Sequence, residues 1–317
     1  MFVPLKGTSW CVGTVKSPKG SVTLFNNKHL GIYKDRVLDN VCPHRGAMLS
    51  DGKLTNEKHI LCPYHGWEYD MNGSLINIPS CDSIPLWSDV KKYESKELYD
   101  FVWTTFDEGG VCPDPPAVPE FHTSGWNFVS GDTVVKGNWL RWIENSCDIS
   151  HINFVHDFAD EKNGQVLNMK ITEDTDEHTT CEAQVFPKAA SYYTQHMQIP
   201  ISNVTVTFYY PNVTKIHIKL KEPYEFITYT TVTPVSLNST LMTWSFGYNI
   251  PMGDNFLIRN IFFDQMIKTI LEDENILKKI PVNFANQVSV PVDMLSKKVI
   301  KKIVKDTEAS SMVFQLL

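Results

Sequence analysis

No apolar run in this 317-residue sequence reaches the twenty or so residues needed to cross a bilayer, so no membrane span is expected. Nor is there a block rich in lysine or arginine. The nearest, Lys297–Lys298 with Lys301–Lys302, is interleaved with Val and Ile and reads as the wet side of a helix. With a formal net charge of −7, nucleic acid is not an expected partner. Met1 to Trp10 shows no basic region followed by an apolar one, so no secretory leader is expected and the location expected is cytoplasmic. The seven cysteines are an odd number and form no disulfide framework; Cys11, Cys81, Cys112, Cys147 and Cys181 read as reduced, inert thiols. The sequons at Asn203, Asn212 and Asn238 carry little weight without a secretory route. No Gly-x-Gly-x-x-Gly follows a strand, which argues against a flavin or nicotinamide domain in this chain.

What is present suffices for two domains with real cores: 42% hydrophobic and 21% charged residues is ordinary globular composition. The first third carries short alternating runs and turns. Ser21–Phe25, Leu30–Tyr33 and Arg36–Leu38 read as strands, Glu68–Tyr69 as a strand entering a turn at Asn72-Gly73, and Tyr99–Phe106 as another strand. A linker rich in proline follows (Pro113, Pro115, Pro116, Pro119), and a boundary is placed near residue 115, giving domains 1–115 and 116–317. Beyond it, Asn138–Ser150 has helical character. Asn203–Tyr210, Lys215–Lys221, Phe226–Pro234 and Ser239–Asn249 then read as strands of an antiparallel sheet. From Asn255 to Ile280 the period changes to that of a long amphipathic helix, with Phe262, Met266, Ile270, Leu277 and Ile280 recurring on one side. The fold class expected is α+β.

The strongest motif is Cys42-Pro-His44 followed, after seventeen intervening residues, by Cys62-Pro-Tyr-His65. Two Cys and two His in paired loops can hold one tetrahedral zinc. The full loops, however, read Cys-Pro-His-Arg-Gly-Ala and Cys-Pro-Tyr-His-Gly-Trp, and these resemble the cluster-binding loops of Rieske proteins, in which two Cys hold one iron of a [2Fe–2S] cluster and two His the other. Gly46 and Gly66 suit loops that turn sharply. Respiratory Rieske subunits carry an extra disulfide at the positions of Ala47 and Tyr64, so the likeness is to the oxygenase and ferredoxin type. Without that disulfide and its neighbouring hydroxyl hydrogen bonds, the potential is expected toward the low end of the Rieske range, roughly −150 mV. It should also depend on pH through the outer imidazole nitrogens.

A ferredoxin would end near residue 110, but a second constellation follows: Asn145-x-x-Asp148-x-x-His151-x4-His156. Asp148 and His151, three apart, share a helix face, and His156 would be brought round by a break after the helix, which Asn153 permits. The pattern resembles the mononuclear iron motif of Rieske non-haem iron oxygenases. A two-His, one-carboxylate site for Fe(II) needs one more acid. The family draws it from a late helix near a Glu-Asp pair, which here is Glu272-Asp273. Asp273 falls in register with the apolar stripe, where a carboxylate is costly without a cation; Asp264 and Glu272 remain alternatives.

The resemblance is to the oxygenase component, nearer to single-subunit O- and N-demethylases and pheophorbide-type oxygenases than to ring dioxygenases with a small subunit. It implies an all-β Rieske domain, then a catalytic domain with a curved antiparallel sheet flanked by helices. It implies O2 activation at a mononuclear Fe(II) fed by the cluster, with a small, mostly apolar organic substrate hydroxylated or demethylated. It also implies a separate reductase or ferredoxin as electron donor and a homotrimer in which electrons cross between subunits. There His65 stands on the donor side and Asp148 bridges to His151, orienting it through a hydrogen bond, with Asn145 lining the site. Phe154, Phe158, Tyr192, Tyr209 and Trp244 are candidate pocket aromatics, with ordinary core as the alternative. The rival function is an electron carrier or redox sensor without oxygenase activity.

Overall fold

In the computed structural model, which describes residues 7–15, 19–24, 28–107, 109–157, 165–185, 202–220, 222, 224–281 and 287–309, the contacts separate one unit ending at Pro115 from another beginning at Pro116. The first is made of short strands. β1 (Trp10–Thr14), β10 (Ser95–Leu98) and β11 (Phe101–Thr104) pair in the order β1-β11-β10. β2 (Gly20–Leu24), β3 (Lys28–Tyr33), β4 (Arg36–Asp39) and β9 (Lys92–Tyr93) form a second sheet in that order. β5 (Lys53–Leu54), β6 (Ile60–Leu61), β7 (Glu68–Tyr69) and β8 (Leu75–Asn77) form a third. The strand expected over Tyr99–Phe106 begins only at Phe101. Tyr99 and Asp100, at φ 58° and 63°, make the two-residue turn of a hairpin with β10. The polar sequence of β10, Ser-Lys-Glu-Leu, hid that partner. One buried cluster joins Tyr33, Leu38, Leu49, Ile60, Tyr69, Leu75, Ile78 and Val90 to both motif cysteines, Cys42 and Cys62.

The second unit is organised by a seven-stranded antiparallel sheet: β12 (Asn127–Lys136), β13 (Val166–Asp174), β14 (His178–Val185), β15 (Ser202–Tyr209), β16 (Val213–Lys219), β17 (Glu225–Ser236) and β18 (Ser239–Asn249). β13 to β18 pair in sequence, and β12 adds to the outer side of β18. On β15 the apolar residues alternate, with Val204, Val206 and Phe208 buried and Asn203 exposed, as a sheet with one covered face requires. Along β18 both faces are covered, so Thr243, Trp244 and Ser245 are all buried. β12, β13 and β14 were not anticipated, since their exposed polar positions weaken the apolar pattern.

Among the described residues four helices accompany the sheet: α1 (Trp139–Cys147), α2 (Ile152–Val155), α3 (Phe256–Leu277) and α4 (Met294–Ala309). α1 packs on β16, β17 and α4, while α3 packs on β12 and β18. Asn255 caps α3, its side chain accepting from the Ile258 amide at 3.0 Å. The buried stripe of α3 runs Ile258, Phe262, Met266, Ile270, Asp273, Leu277. Phe262 rests on Tyr248 and Phe246 of β18, with ring centroids 4.6 and 5.1 Å apart. Ile280, read as part of that stripe, lies past the helix end and is exposed, because α3 stops at Leu277. Among the described residues no helix is long and apolar enough to cross a membrane.

Arg141 of α1 is 1% exposed. Its Nε and Nη2 donate to the Pro281 carbonyl at 3.0 and 2.6 Å and its Nη1 to Glu144 at 2.6 Å. It thus ties α1 to the chain leaving α3. Arg141→Leu should leave the Pro281 carbonyl and the half-buried Glu144 carboxylate without this donor, costing about 1–3 kcal/mol. A lowered thermal midpoint of the variant, read by circular dichroism, checks this; an unchanged midpoint contradicts it.

Candidate metal centres

The two Cys-Pro loops are built alike. The Cys42 amide donates to Ala47 O (2.9 Å) and the Gly46 amide to Cys42 O (2.9 Å); in the second loop Cys62 N–H reaches Trp67 O (2.8 Å) and Gly66 N–H reaches Cys62 O (3.1 Å). Gly46 and Gly66 sit at φ +80° and +71°, the left-handed region that a side chain disfavours. The loops face each other with their side chains in two pairs. Cys42 and Cys62 are buried, and the imidazoles of His44 and His65 meet edge to face with centroids 4.4 Å apart. Among the described residues these four do not make a group whose ligand atoms all lie within 4.8 Å of one another, as a single tetrahedral ion would require. A sulfur pair set apart from a nitrogen pair suits two metals instead. His44 Nδ1 is buried without a hydrogen-bond partner, an atom that a metal would satisfy. His44 is also stacked on Trp67, 4.5 Å away at 5°.

One expectation needs correction. The loops were expected to lack hydroxyl hydrogen bonds, yet the Tyr69 hydroxyl lies 3.3 Å from Cys42 Sγ. Tyr69 is buried in β7, which follows the second loop directly, so the strand carries the phenol back under the first loop.

In the second unit the motif residues take a different local path from the one expected. α1 ends at Cys147, and Asp148 is extended (φ −94°, ψ 115°). Its Oδ1 accepts from both the amide and the hydroxyl of Ser150 at 2.7 Å. The break therefore falls before His151, not after it, and Asn153 lies inside α2 as a buried helical residue. His151 and His156 flank that four-residue helix at its two ends. The helix turns both rings toward α3.

There His151 Nε2 lies 3.6 Å and His156 Nε2 3.4 Å from the same oxygen, Asp273 Oδ1. One ligand atom from each of the three residues lies within 4.8 Å of the others. Asn145 Nδ2 donates to Asp273 Oδ1 at 3.3 Å. Burial pushes the Asp273 carboxyl above its ordinary range, opposed by the two imidazoles and Asn145. Burial likewise pushes His151 below its ordinary value, toward the neutral form that can be a ligand. A buried carboxylate facing two imidazole nitrogens is an arrangement a divalent cation stabilises, and the donor set of two nitrogens and one carboxylate oxygen fits Fe(II).

The outer sides of the rings differ. Asp148 Oδ2 is 3.8 Å from His151 Nδ1, too far for the hydrogen bond expected there, because Ser150 draws the carboxylate away. His156 Nδ1, by contrast, meets Glu272 Oε2 at 2.9 Å, a contact between residues 116 apart in sequence that no local pattern announced. Glu272 therefore faces the back of a ring, and Asp264 is exposed on α3. Of the candidate pocket aromatics, Phe154 is exposed between the two histidines, and Trp244 is buried against Phe263 with centroids 5.2 Å apart. Tyr209 packs beside His178, and Phe158 and Tyr192 lie outside the described residues.

Residues 13–94 match the family described as the Rieske [2Fe-2S] domain, and residues 135–302 match the vanillate O-demethylase oxygenase C-terminal domain. A methylxanthine N3-demethylase of Pseudomonas putida is 33% identical over 125 residues, covering 36% of this chain and 34% of that protein. The oxygenase component of dicamba O-demethylase of Stenotrophomonas maltophilia is 32% identical over 124 residues, covering 38% and 36%. These matched segments span about a third of the curated relatives' length. In fold, the chain is similar to dicamba monooxygenase bound to 3,6-dichlorosalicylic acid, with TM-score 0.81, 17% identity, and 96% and 98% of the two chains covered. It is also similar to Pseudomonas putida NdmA with caffeine, at 0.77, 21%, 96% and 91%.

A hydroxyl donating to a cluster sulfur favours the reduced, more negative state. Tyr69→Phe removes one such donor, worth about 1 kcal/mol, and should lower the cluster potential by roughly 40 mV. Redox titration of the visible spectrum checks this, and an unchanged potential would mean that the hydroxyl does not reach the sulfur.

Proposed function

This chain belongs to the Rieske oxygenases whose C-terminal domain is of the vanillate O-demethylase type, and from that membership we propose that it is a terminal oxygenase acting on a small, mostly apolar organic substrate. The observation that carries the reading is the convergence of His151 Nε2, His156 Nε2 and Asp273 Oδ1 in a chain that also carries the paired Cys-Pro loops. Bound iron would supply O2 activation at the first site, and a [2Fe–2S] cluster would supply single electrons from the second.

In this reading Cys42, Cys62, His44 and His65 hold the cluster, with the sulfurs in the core and His65 exposed. An exposed imidazole is the natural exit for an electron bound for another subunit, and a homotrimer would provide that neighbour. Asp148 would receive it, its Oδ2 standing 3.8 Å from His151 Nδ1. Asn145 holds Asp273 Oδ1 by its amide and so fixes the carboxylate's orientation. Electrons would enter from a separate reductase or ferredoxin.

The relatives named as N- and O-demethylases point to a methyl group on nitrogen or oxygen as the target. In oxidative O-demethylation a methoxy compound, O2, two electrons and two protons give the hydroxy compound, formaldehyde and water. An apolar substrate suits the sheet face that receives α3. There Ile216 and Ile218 of β16, Phe226 of β17 and Phe246 of β18 are only half-buried, and Phe226 and Phe246 stack at 5.8 Å.

Metal analysis should give about three iron per chain, two in the cluster and one outside it. Asp273→Ala should lose the third while keeping the cluster's visible absorption, and His151→Ala should abolish product formation. Two iron per chain, with turnover indifferent to His151→Ala, would leave only an electron carrier or redox sensor. Separately, Asp148→Asn should keep both metal centres yet slow reoxidation of the reduced cluster by substrate and O2 about tenfold or more. Stopped-flow absorbance measures this, and a wild-type rate removes Asp148 from the electron route.

A further inference from the structure

We infer that Glu272 is a positioning residue for His156. It accepts the Nδ1 proton of His156, so that the ring presents the Nε2 lone pair to the metal. The inference rests on the metal site proposed above and assigns a residue that the resemblance offered only as an alternative ligand. The geometry separates two neighbouring carboxylates. Asp273 Oδ1 stands 3.4 Å from His156 Nε2, and Glu272 Oε2 stands 2.9 Å from the same ring's Nδ1. One imidazole therefore lies between consecutive acids of α3, which diverge by about 100° around the helix. A neutral imidazole carries one proton, and only the tautomer with that proton on Nδ1 leaves Nε2 free to ligate. A carboxylate at hydrogen-bond distance from Nδ1 selects that tautomer and locks the ring's rotation.

Two further contacts hold the arrangement. Lys268, one turn before Glu272, lies 4.0 Å from Glu272 Oε1 and pairs with Asp157, the residue after His156. α3 thus meets both the His156 ring and the side chain of the residue after it. The His156 side chain is 3% exposed and Glu272 20%, so the hydrogen bond is shielded while the lysine pair is open to water. Among the described residues His151 meets no carboxylate at such a distance on its outer side: the nearest, Asp148 Oδ2, lies 3.8 Å from its Nδ1.

The test uses the full chain with its cluster in place and the mononuclear site stripped, then titrated with Co(II) in competition with a chelator. Glu272→Ala should weaken Co(II) binding about 10–100-fold. Glu272→Gln, whose amide oxygen still accepts a hydrogen bond, should recover part of that loss. In the metal-free protein, long-range proton–nitrogen spectra should show His156 protonated at Nδ1 in the wild type and mixed in Glu272→Ala. Wild-type Co(II) affinity and an unchanged tautomer in Glu272→Ala would overturn the inference. If the wild type bound Co(II) no better than His151→Ala, the metal site itself would fall instead. A Glu272→Ala protein too unstable to titrate leaves the decision to Glu272→Gln: affinity reduced by severalfold with the Nδ1–H tautomer kept supports the role, and affinity equal to wild type overturns it.

Discussion

A carboxylate buried between two imidazoles is the constraint around which the second unit is built. Asp273 lies on the stripe of α3 that otherwise carries Ile, Phe, Met and Leu into the core. A charge there is unfavourable by several kcal/mol unless something of opposite sign accompanies it. Burial pushes His151 below its ordinary value, which disfavours a positive charge on that ring. A divalent cation held among Asp273 Oδ1 and the two Nε2 atoms would supply that charge. Much else in the unit serves that convergence. α1 brings Asn145, the turn at Asp148–Ser150 reverses the chain, α2 spaces the two histidines, and Arg141 fastens α1 to the residues beyond α3.

The first unit meets a different requirement, which is polarity. Its loops place both thiols inside the apolar cluster with Tyr69 beneath them, and they leave His65 exposed. Charge held on buried sulfurs is costly, so each hydrogen bond to them shifts the energy of the reduced state. The phenol of Tyr69 is therefore a means of setting potential from within the fold. The aromatic face of Trp67 lies flat against His44 and fixes the plane of that ring.

The parts of this plan that were legible in the sequence are those encoded within a few residues. The Cys-Pro loops are continuous segments whose glycines must turn, and Gly46 and Gly66 do adopt left-handed φ. Asp273 stood out because an acid interrupted a 3.6-residue apolar rhythm. The turn at Asp148 was less visible. Asn-Ser-Cys-Asp continues a helical run without penalty, and only the capture of Ser150 by the carboxylate decides against it. Strands β13 and β14 were hidden for a related reason. Residues such as Asn168, Lys170, Glu173 and Glu182 stand between the apolar ones, and pairing with neighbours far along the chain settles their conformation. The hydroxyl of Tyr69 was overlooked because its partner lies 27 residues upstream.

Glu272 and Asp273 make the same point about contacts across sequence. Read linearly they are a pair of like acids, and choosing between them as ligands looks like a choice of one. On a helix, consecutive side chains diverge by about 100°, so both can touch one ring lodged between them, one at each nitrogen. The two histidines are then unequal. His156 meets a carboxylate of α3 at hydrogen-bond distance, whereas the carboxylate beside His151, Asp148 of its own loop, stands 3.8 Å away and is engaged by Ser150. One ring is thus braced by a separate helix, and the other faces the Asp148–Ser150 turn of its own segment.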